Sequence, residues 1–387
     1  MLVTPGKERQ SGRKPIKDMA FRGNEMTDEH SGRASRRDFL SGLAVTGAAL
    51  ALPGTALAQA AKTPVIKPKH HGVIDLHHHF WAPDYLKAQT DWEDAHKSPH
   101  VPAMMTWKPE VSIAEMDRGG VRTSVLSLAS ISEGLWGLEA QAATKVIRAS
   151  DDYAMQIMSD YPGRFGLFAP LNMVDIDTSL QEVAYAYDQC HADGIGLQSS
   201  YNGKYLGDPS YDPIWQELNR RNAVIFVHGP NSACCSQIKD GPGMFGSVVE
   251  VTFDVTRTAA SLLTSGALHR YPNIRWIIAY GGGTLPFVAG RMNAFLKNAK
   301  NIQEIAPNGI AAELQKLYID TVNVTNEASM AAMLKFTKPS QIVYGTDFIY
   351  YNNDQLDALD ERKLAPKVKD AILSGNAKHL IPRLAKA

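Results

Sequence analysis

Cysteine is scarce: 387 residues hold three, Cys190, Cys234 and Cys235. That is too few for a disulfide framework. No Cys-x-x-Cys spacing occurs, which argues against a zinc ribbon or a thioredoxin-type redox site. The adjacent Cys234-Cys235 pair leaves a vicinal disulfide open if the compartment is oxidising. Net charge is also missing, because 40 Lys and Arg balance 40 Asp and Glu. Nothing in that balance points to nucleic acid. A strongly apolar run of spanning length is absent after residue 60. No dinucleotide glycine fingerprint follows the first strand, and Gly281, Gly282 and Gly283 do not match a phosphate loop. They read instead as backbone that passes close to substrate.

The first sixty residues read as an address. Residues 1–34 are polar and charged without apolar periodicity, as in a disordered leader. Ser35-Arg36-Arg37-Asp38-Phe39-Leu40 then opens an uncharged run from Ser41 to Ala60 that ends on Ala56-Leu57-Ala58, a small-x-small cleavage pattern. This resembles a bacterial twin-arginine leader. The run contains Gly42, Gly47, Pro53 and Gly54, so a cleaved signal is favoured over a membrane anchor. The true start is Met1, Met19 or Met26 on this reading. The expectation is a twin-arginine signal over 1–60, a linker over 61–71 and one domain over 72–387. Such export carries folded protein, so the protein would be periplasmic or secreted, with no membrane attachment once the signal is cleaved. Beyond residue 58 the chain keeps 31 Lys and Arg against 34 Asp and Glu.

What is present after the linker is an alternation. Short, apolar, β-branched runs lie at Val73–His77, Arg122–Leu128, Arg164–Pro170, Gly194–Gln198, Ala223–His228, Ile274–Tyr280, Leu317–Val322 and Gln341–Asp347. They suit parallel strands buried on both faces. Helical patterns lie between them at Leu138–Asp160, Ser179–Ala192, Ile214–Asn222, Val255–Arg270, Leu285–Asn298 and Glu327–Phe336, with another at Pro366–Leu373. Eight βα units in series predict an α/β fold, a (β/α)8 TIM barrel, over an open doubly wound sheet. With about 44% apolar residues the chain can fill one such core. Trp81–Pro109 is the longest stretch after a strand and is expected to be a loop forming a lid or wall.

Residues two apart on a strand point the same way. His77 and His79 therefore project together at the carboxyl end of the first strand, and His78 points away. Alone, a His-x-His is a weak metal signal. It sharpens because the fifth strand ends on His228 and the eighth on Asp347, all at the same end of a barrel. His228 as a satisfied surface histidine and Asp347 as a turn cap are the bland alternatives. Arg257 and Arg291 are candidates to clamp a carboxylate, against structural ion pairs.

The stretches Ile74–His79, Tyr205–Pro209, Phe226–Pro230, Phe253–Thr258, Gly281–Phe287, Tyr344–Phe348 and Asn376–Leu380 resemble the amidohydrolase superfamily, in the branch of aminocarboxymuconate-semialdehyde decarboxylase. The vicinal cysteines and the Thr256-Arg257-Thr258 segment look most like the methylsalicylate-decarboxylase subgroup. The resemblance implies one divalent ion, zinc with manganese as the alternative, on His77, His79, His228 and Asp347. Binuclear members use a carboxylated lysine near the fourth strand; here that strand ends Gln198-Ser199-Ser200, so a mononuclear site is implied. A small-molecule carboxylate substrate and a homodimer are implied too.

One departure stands out. Relatives place a proton-handling histidine before the triple glycine, and this chain has Tyr280. A phenol near pKa 10 is a poor neutral-pH base but a competent donor to an oxyanion. Packing alone is the other reading of Tyr280. Three functions follow. The first is a carboxy-lyase of an aromatic or unsaturated acid, with Asp347 shuttling a proton and Arg257 holding the acid. The second is a hydrolase of a lactone, ester or amide using metal-bound water and Asp347 as base. The third is a catalytically inactive metal- or ligand-binding barrel.

Overall fold

Eight of the apolar runs become parallel strands: β1 (Val73–Phe80), β2 (Val121–Leu128), β3 (Phe165–Pro170), β4 (Gly194–Gln198), β5 (Val224–His228), β6 (Arg275–Ile278), β7 (Tyr318–Asp320) and β8 (Ile342–Val343). The computed structural model describes residues 68–128, 135, 137–229 and 248–386. The twin-arginine segment and the Cys234-Cys235 pair lie outside the described residues. Each strand pairs in parallel with the next in chain order. The ends of the ladder meet, because the Leu76 N–H donates to the Tyr344 carbonyl at 3.0 Å and the His79 N–H to the Phe348 carbonyl at 2.8 Å. This is the expected (β/α)8 architecture.

The crossovers are α1 (Pro109–Gly119), α2 (Ala140–Asp160), α3 (Ile176–Asp188), α4 (Asp212–Arg220), α5 (Glu250–Thr264), α6 (Leu285–Leu296) and α7 (Glu327–Phe336). α2 shows why they lie on the barrel. Ala143, Ile147, Ser150, Ala154 and Ile157 recur at steps of three and four, and all are buried. A buried side chain of the size of Ile147 contributes about 1.5–3 kcal/mol. Trp215 of α4 packs edge-on against Trp276 of β6 with ring centres 5.1 Å apart, filling the layer between sheet and helices.

Three expectations change. Trp81–Pro109 is not a plain loop. It carries helices Pro83–Ala95 and Pro102–Thr106, each with proline in its first turn, and it buries Tyr85, Gln89, Glu93 and Met104. The helix expected at Val255–Arg270 starts at Glu250 and breaks at Gly266, whose φ of 78° ends it before Ala267–Arg270. β6 and β8 are shorter than their apolar runs. β6 stops because Tyr280 turns left-handed, with φ 57°. Past β8 the chain keeps isolated bonds to β1, and Asp347, at φ 58°, turns it out of the ladder.

Candidate metal centre

The site begins with the pleat of β1. His77 and His79 turn inward, and their Nε2 atoms lie 3.2 Å apart. His78 turns outward, where its ring bonds Asp75 at 3.0 Å and Ser112 of α1 at 2.9 Å. The turn after β8 brings Asp347 against both inner rings, with Oδ1 2.9 Å from His79 Nε2 and 3.3 Å from His77 Nε2. Its backbone N–H donates to the His77 carbonyl at 2.8 Å. Gly345 makes that approach possible, since a Cβ there would stand 2.7 Å from the His77 Cβ. The end of β5 supplies His228, whose ring centre is 5.1 Å from that of His77 and 4.8 Å from that of His79. One nitrogen from each histidine and one oxygen of Asp347 all lie within 4.8 Å of one another, and all four residues are buried.

The electrostatics suit a bound cation. Burial holds His79 and His228 below the ordinary imidazole range, ready to offer lone pairs. Burial would do the same to His77, but Asp347 and Asp320 outweigh it and raise His77 to about 10. Burial would raise Asp347; the neighbouring His77 and His79 instead hold it below the usual carboxylate range. The buried His228 Nδ1 has no hydrogen-bond partner. Three imidazoles and one carboxylate around an orphaned nitrogen are the donor set of a single divalent ion. Neither Gln198 nor Ser199 belongs to the cluster; Ser199 bonds the Asp254 carboxylate.

Tyr280 does more than pack. Its hydroxyl is 2.7 Å from His228 Nε2. Burial, then the charges of Asp347 and Asp320, push its pKa well above 10. Arg257 lies on α5, its guanidinium 3.9 Å from both Glu250 and Asp254; neither is one of the four clustered residues. Arg291 is not part of the centre. It is exposed on α6 and covers the Phe295 ring at 4.6 Å. The glycine triplet passes close to protein. Side chains at Gly281 and Gly282 would meet Val324 and Ile319, and one at Gly283 would meet the Thr252 carbonyl of α5 at 2.1 Å.

Asp320 escaped the sequence reading. Its Oδ2 is 2.7 Å from His77 Nδ1, and its Oδ1 accepts the N–H groups of Gly281 at 3.2 Å and Val322 at 3.1 Å. It fixes the ring that offers Nε2 to the cluster. The signal was there: one carboxylate closes an apolar strand at the end where His228 and Asp347 stand.

A family model described as amidohydrolase matches residues 74–383. The chain belongs to the amidohydrolase family. This amidohydrolase is 33% identical to a decarboxylase (macB) of Penicillium terrestre, over 80% of the chain and 95% of that protein. It is 28% identical to a 6-methylsalicylic acid decarboxylase of Penicillium expansum, over 80% of the chain and 96% of that protein. A solved dihydroxybenzoic acid decarboxylase from Polaromonas, with bound manganese and the inhibitor 2-nitroresorcinol, superposes with a TM-score of 0.71 at 19% identity, over 82% of the chain and 98% of that structure. At that identity the likeness speaks to the fold.

Proposed function

We propose that this amidohydrolase is a metal-dependent carboxy-lyase that removes carbon dioxide from an aromatic carboxylic acid. One observation carries the reading: the buried cluster of His77, His79, His228 and Asp347 stands at the barrel mouth of a chain that matches decarboxylases along nearly their whole length. A divalent ion held by these four residues, proposed as zinc with manganese the alternative, supplies Lewis acidity to a substrate oxygen.

The remaining roles fall to the chain's own groups. Asp347 would reach the reaction ionised, as a carboxylate beside a divalent cation. It takes the proton of a substrate hydroxyl and passes it to the ring carbon. The bond from that carbon to the carboxylate breaks, its electron pair stays with the ring, and carbon dioxide leaves. Tyr280 keeps its own proton and donates to oxygen that gains charge. Arg257 is assigned the substrate's acid group, so Arg257→Ala should raise KM more than it lowers kcat.

Metal-loaded protein offered hydroxybenzoates and lactones tests the reading. Carbon dioxide from a hydroxybenzoate is the expected result. Acid from a lactone without carbon dioxide would replace it with hydrolysis. Tight binding without turnover would leave a binding protein. We also propose twin-arginine export, cleavage after Ala58, a periplasmic or secreted location and a homodimer. The leader residues and the family resemblance support these. N-terminal sequencing of exported protein and its mass in solution check them.

A further inference from the structure

Two aromatic side chains flank one of the metal-site histidines. Trp81 follows His79 by two residues, and its ring centre is 6.3 Å from that of His79. Tyr350, three residues past Asp347, stands 5.8 Å from His79 and 6.1 Å from Trp81. The three rings form a wall on one side of the cluster. The wall has an unusual defect. The Trp81 indole N–H and the Tyr350 hydroxyl are both buried, and neither has a hydrogen-bond partner.

Several other buried aromatic polar groups are satisfied. Trp107, packed 6.1 Å from Trp81, donates to Ser112 at 3.1 Å. The Tyr344 hydroxyl donates to Asn353 at 3.0 Å, and that of Tyr280 meets His228 at 2.7 Å. Buried polar groups are paired in the great majority of cases, so two orphans on one wall of a reaction site call for a partner that arrives from outside. An indole N–H only donates, and a phenol can donate. The arriving group must therefore present an acceptor oxygen. In the decarboxylase reading the substrate's acid group and reacting hydroxyl belong to the cluster and Arg257. The oxygen left for the wall is another one on the ring.

We infer that Trp81 and Tyr350 are specificity-determining residues that read an oxygen substituent on the substrate's ring, a phenolic hydroxyl or an ether oxygen distinct from the acid group. The inference rests on the proposed function for its substrate class. Its physical basis is that a site with buried donors rejects the analogue lacking their acceptor, because the donors then stay unpaired.

The test uses the metal-loaded full chain and a set of salicylic acids, which already carry the acid group and the reacting hydroxyl. Each parent acid is compared with its derivatives carrying one added hydroxyl or methoxyl. Binding by calorimetry is read beside carbon dioxide release. Native protein should bind one oxygenated acid at least about tenfold more tightly than its parent, a ratio two modest hydrogen bonds supply. Trp81→Phe and Tyr350→Phe should each erase most of that ratio while leaving the parent's Kd within about threefold. Trp276 serves as a control, since its indole N–H is also buried without a partner but packs on Trp215 in the helix layer. Trp276→Phe should leave the ratio intact. The inference is overturned if native protein shows no such preference, if both variants keep it, or if both acids weaken together. Binding preference without carbon dioxide would sink the carboxy-lyase reading and leave the wall's role standing.

Discussion

At the scale of single residues, the centre is a problem in charge. His77 is raised to about 10 in the metal-free protein, so at neutral pH it carries a proton that an ion must displace. Binding should release close to one proton per ion at pH 7, and affinity should climb about tenfold per pH unit below that value. Calorimetry in buffers of different ionisation enthalpy reads the proton directly; a count near zero would show that His77 is already neutral before the ion binds. Asp320 supports the same ring. Asp320→Asn keeps the size and removes the charge 2.7 Å from Nδ1, and should weaken metal binding about 10–100-fold. An unchanged metal Kd would reduce Asp320 to a packing role. His77, His79, His228 and Asp347 were legible because strand ends in series point to one rim, so residue type and position sufficed. The strand-end position of Asp320 was legible too, but its bond to His77, 243 residues away, and the Tyr280 contact were not, because they depend on how the chain turns past the strand ends.

Elements show where sequence patterning stops being informative. The apolar runs mark all eight strands, but not the points where β6 and β8 leave the sheet. Those points are set by left-handed backbone at Tyr280 and Asp347, and neither residue type announces it. The glycines that invited a functional reading also have a structural reason. Gly283, at φ 64°, lies where a side chain would strike the Thr252 carbonyl. Gly283→Ala should therefore destabilise by about 2 kcal/mol or more. Gly290 on α6 has open space around its Cβ position, and Gly290→Ala should stabilise by up to about 1 kcal/mol. Equal midpoints in urea for the two variants would contradict this contrast. Between α2 and α3 lies a different tension. Burial, then the charges of Glu182 and Asp152, raise the Asp151 carboxyl well above its ordinary value. The folded state thus holds a proton that the unfolded state releases, so this group's contribution falls as pH rises above about 4. Asp151→Asn should match the parent at pH 3 and grow more stable relative to it towards pH 8. A stability difference that does not vary with pH would show that the carboxyl is not the cause.

For the whole molecule, the decisive fact is that four liganding side chains come from β1, from β5 and from the turn after β8. An ion on His77, His79, His228 and Asp347 therefore ties the start of the barrel to its middle and its end. The unfolded chain keeps only the His77–His79 pair close in sequence, so it binds the ion far more weakly than the folded barrel. Mass action then converts occupancy into stability: free ion at 100 times Kd adds about 2.7 kcal/mol. For a domain of this size that corresponds to a rise in Tm of roughly 5 °C. Chelator-treated protein should melt lower by about that amount and recover on addition of zinc or manganese. His228→Ala removes the ligand from the middle of the chain. It should abolish most of the recovery, because the remaining ligands, from β1 and the turn after β8, lie in neighbouring parts of the ladder and no longer reach across it. A Tm that ignores the ion in native protein, or a full recovery in the His228 variant, would mean that the cluster does not close on a metal.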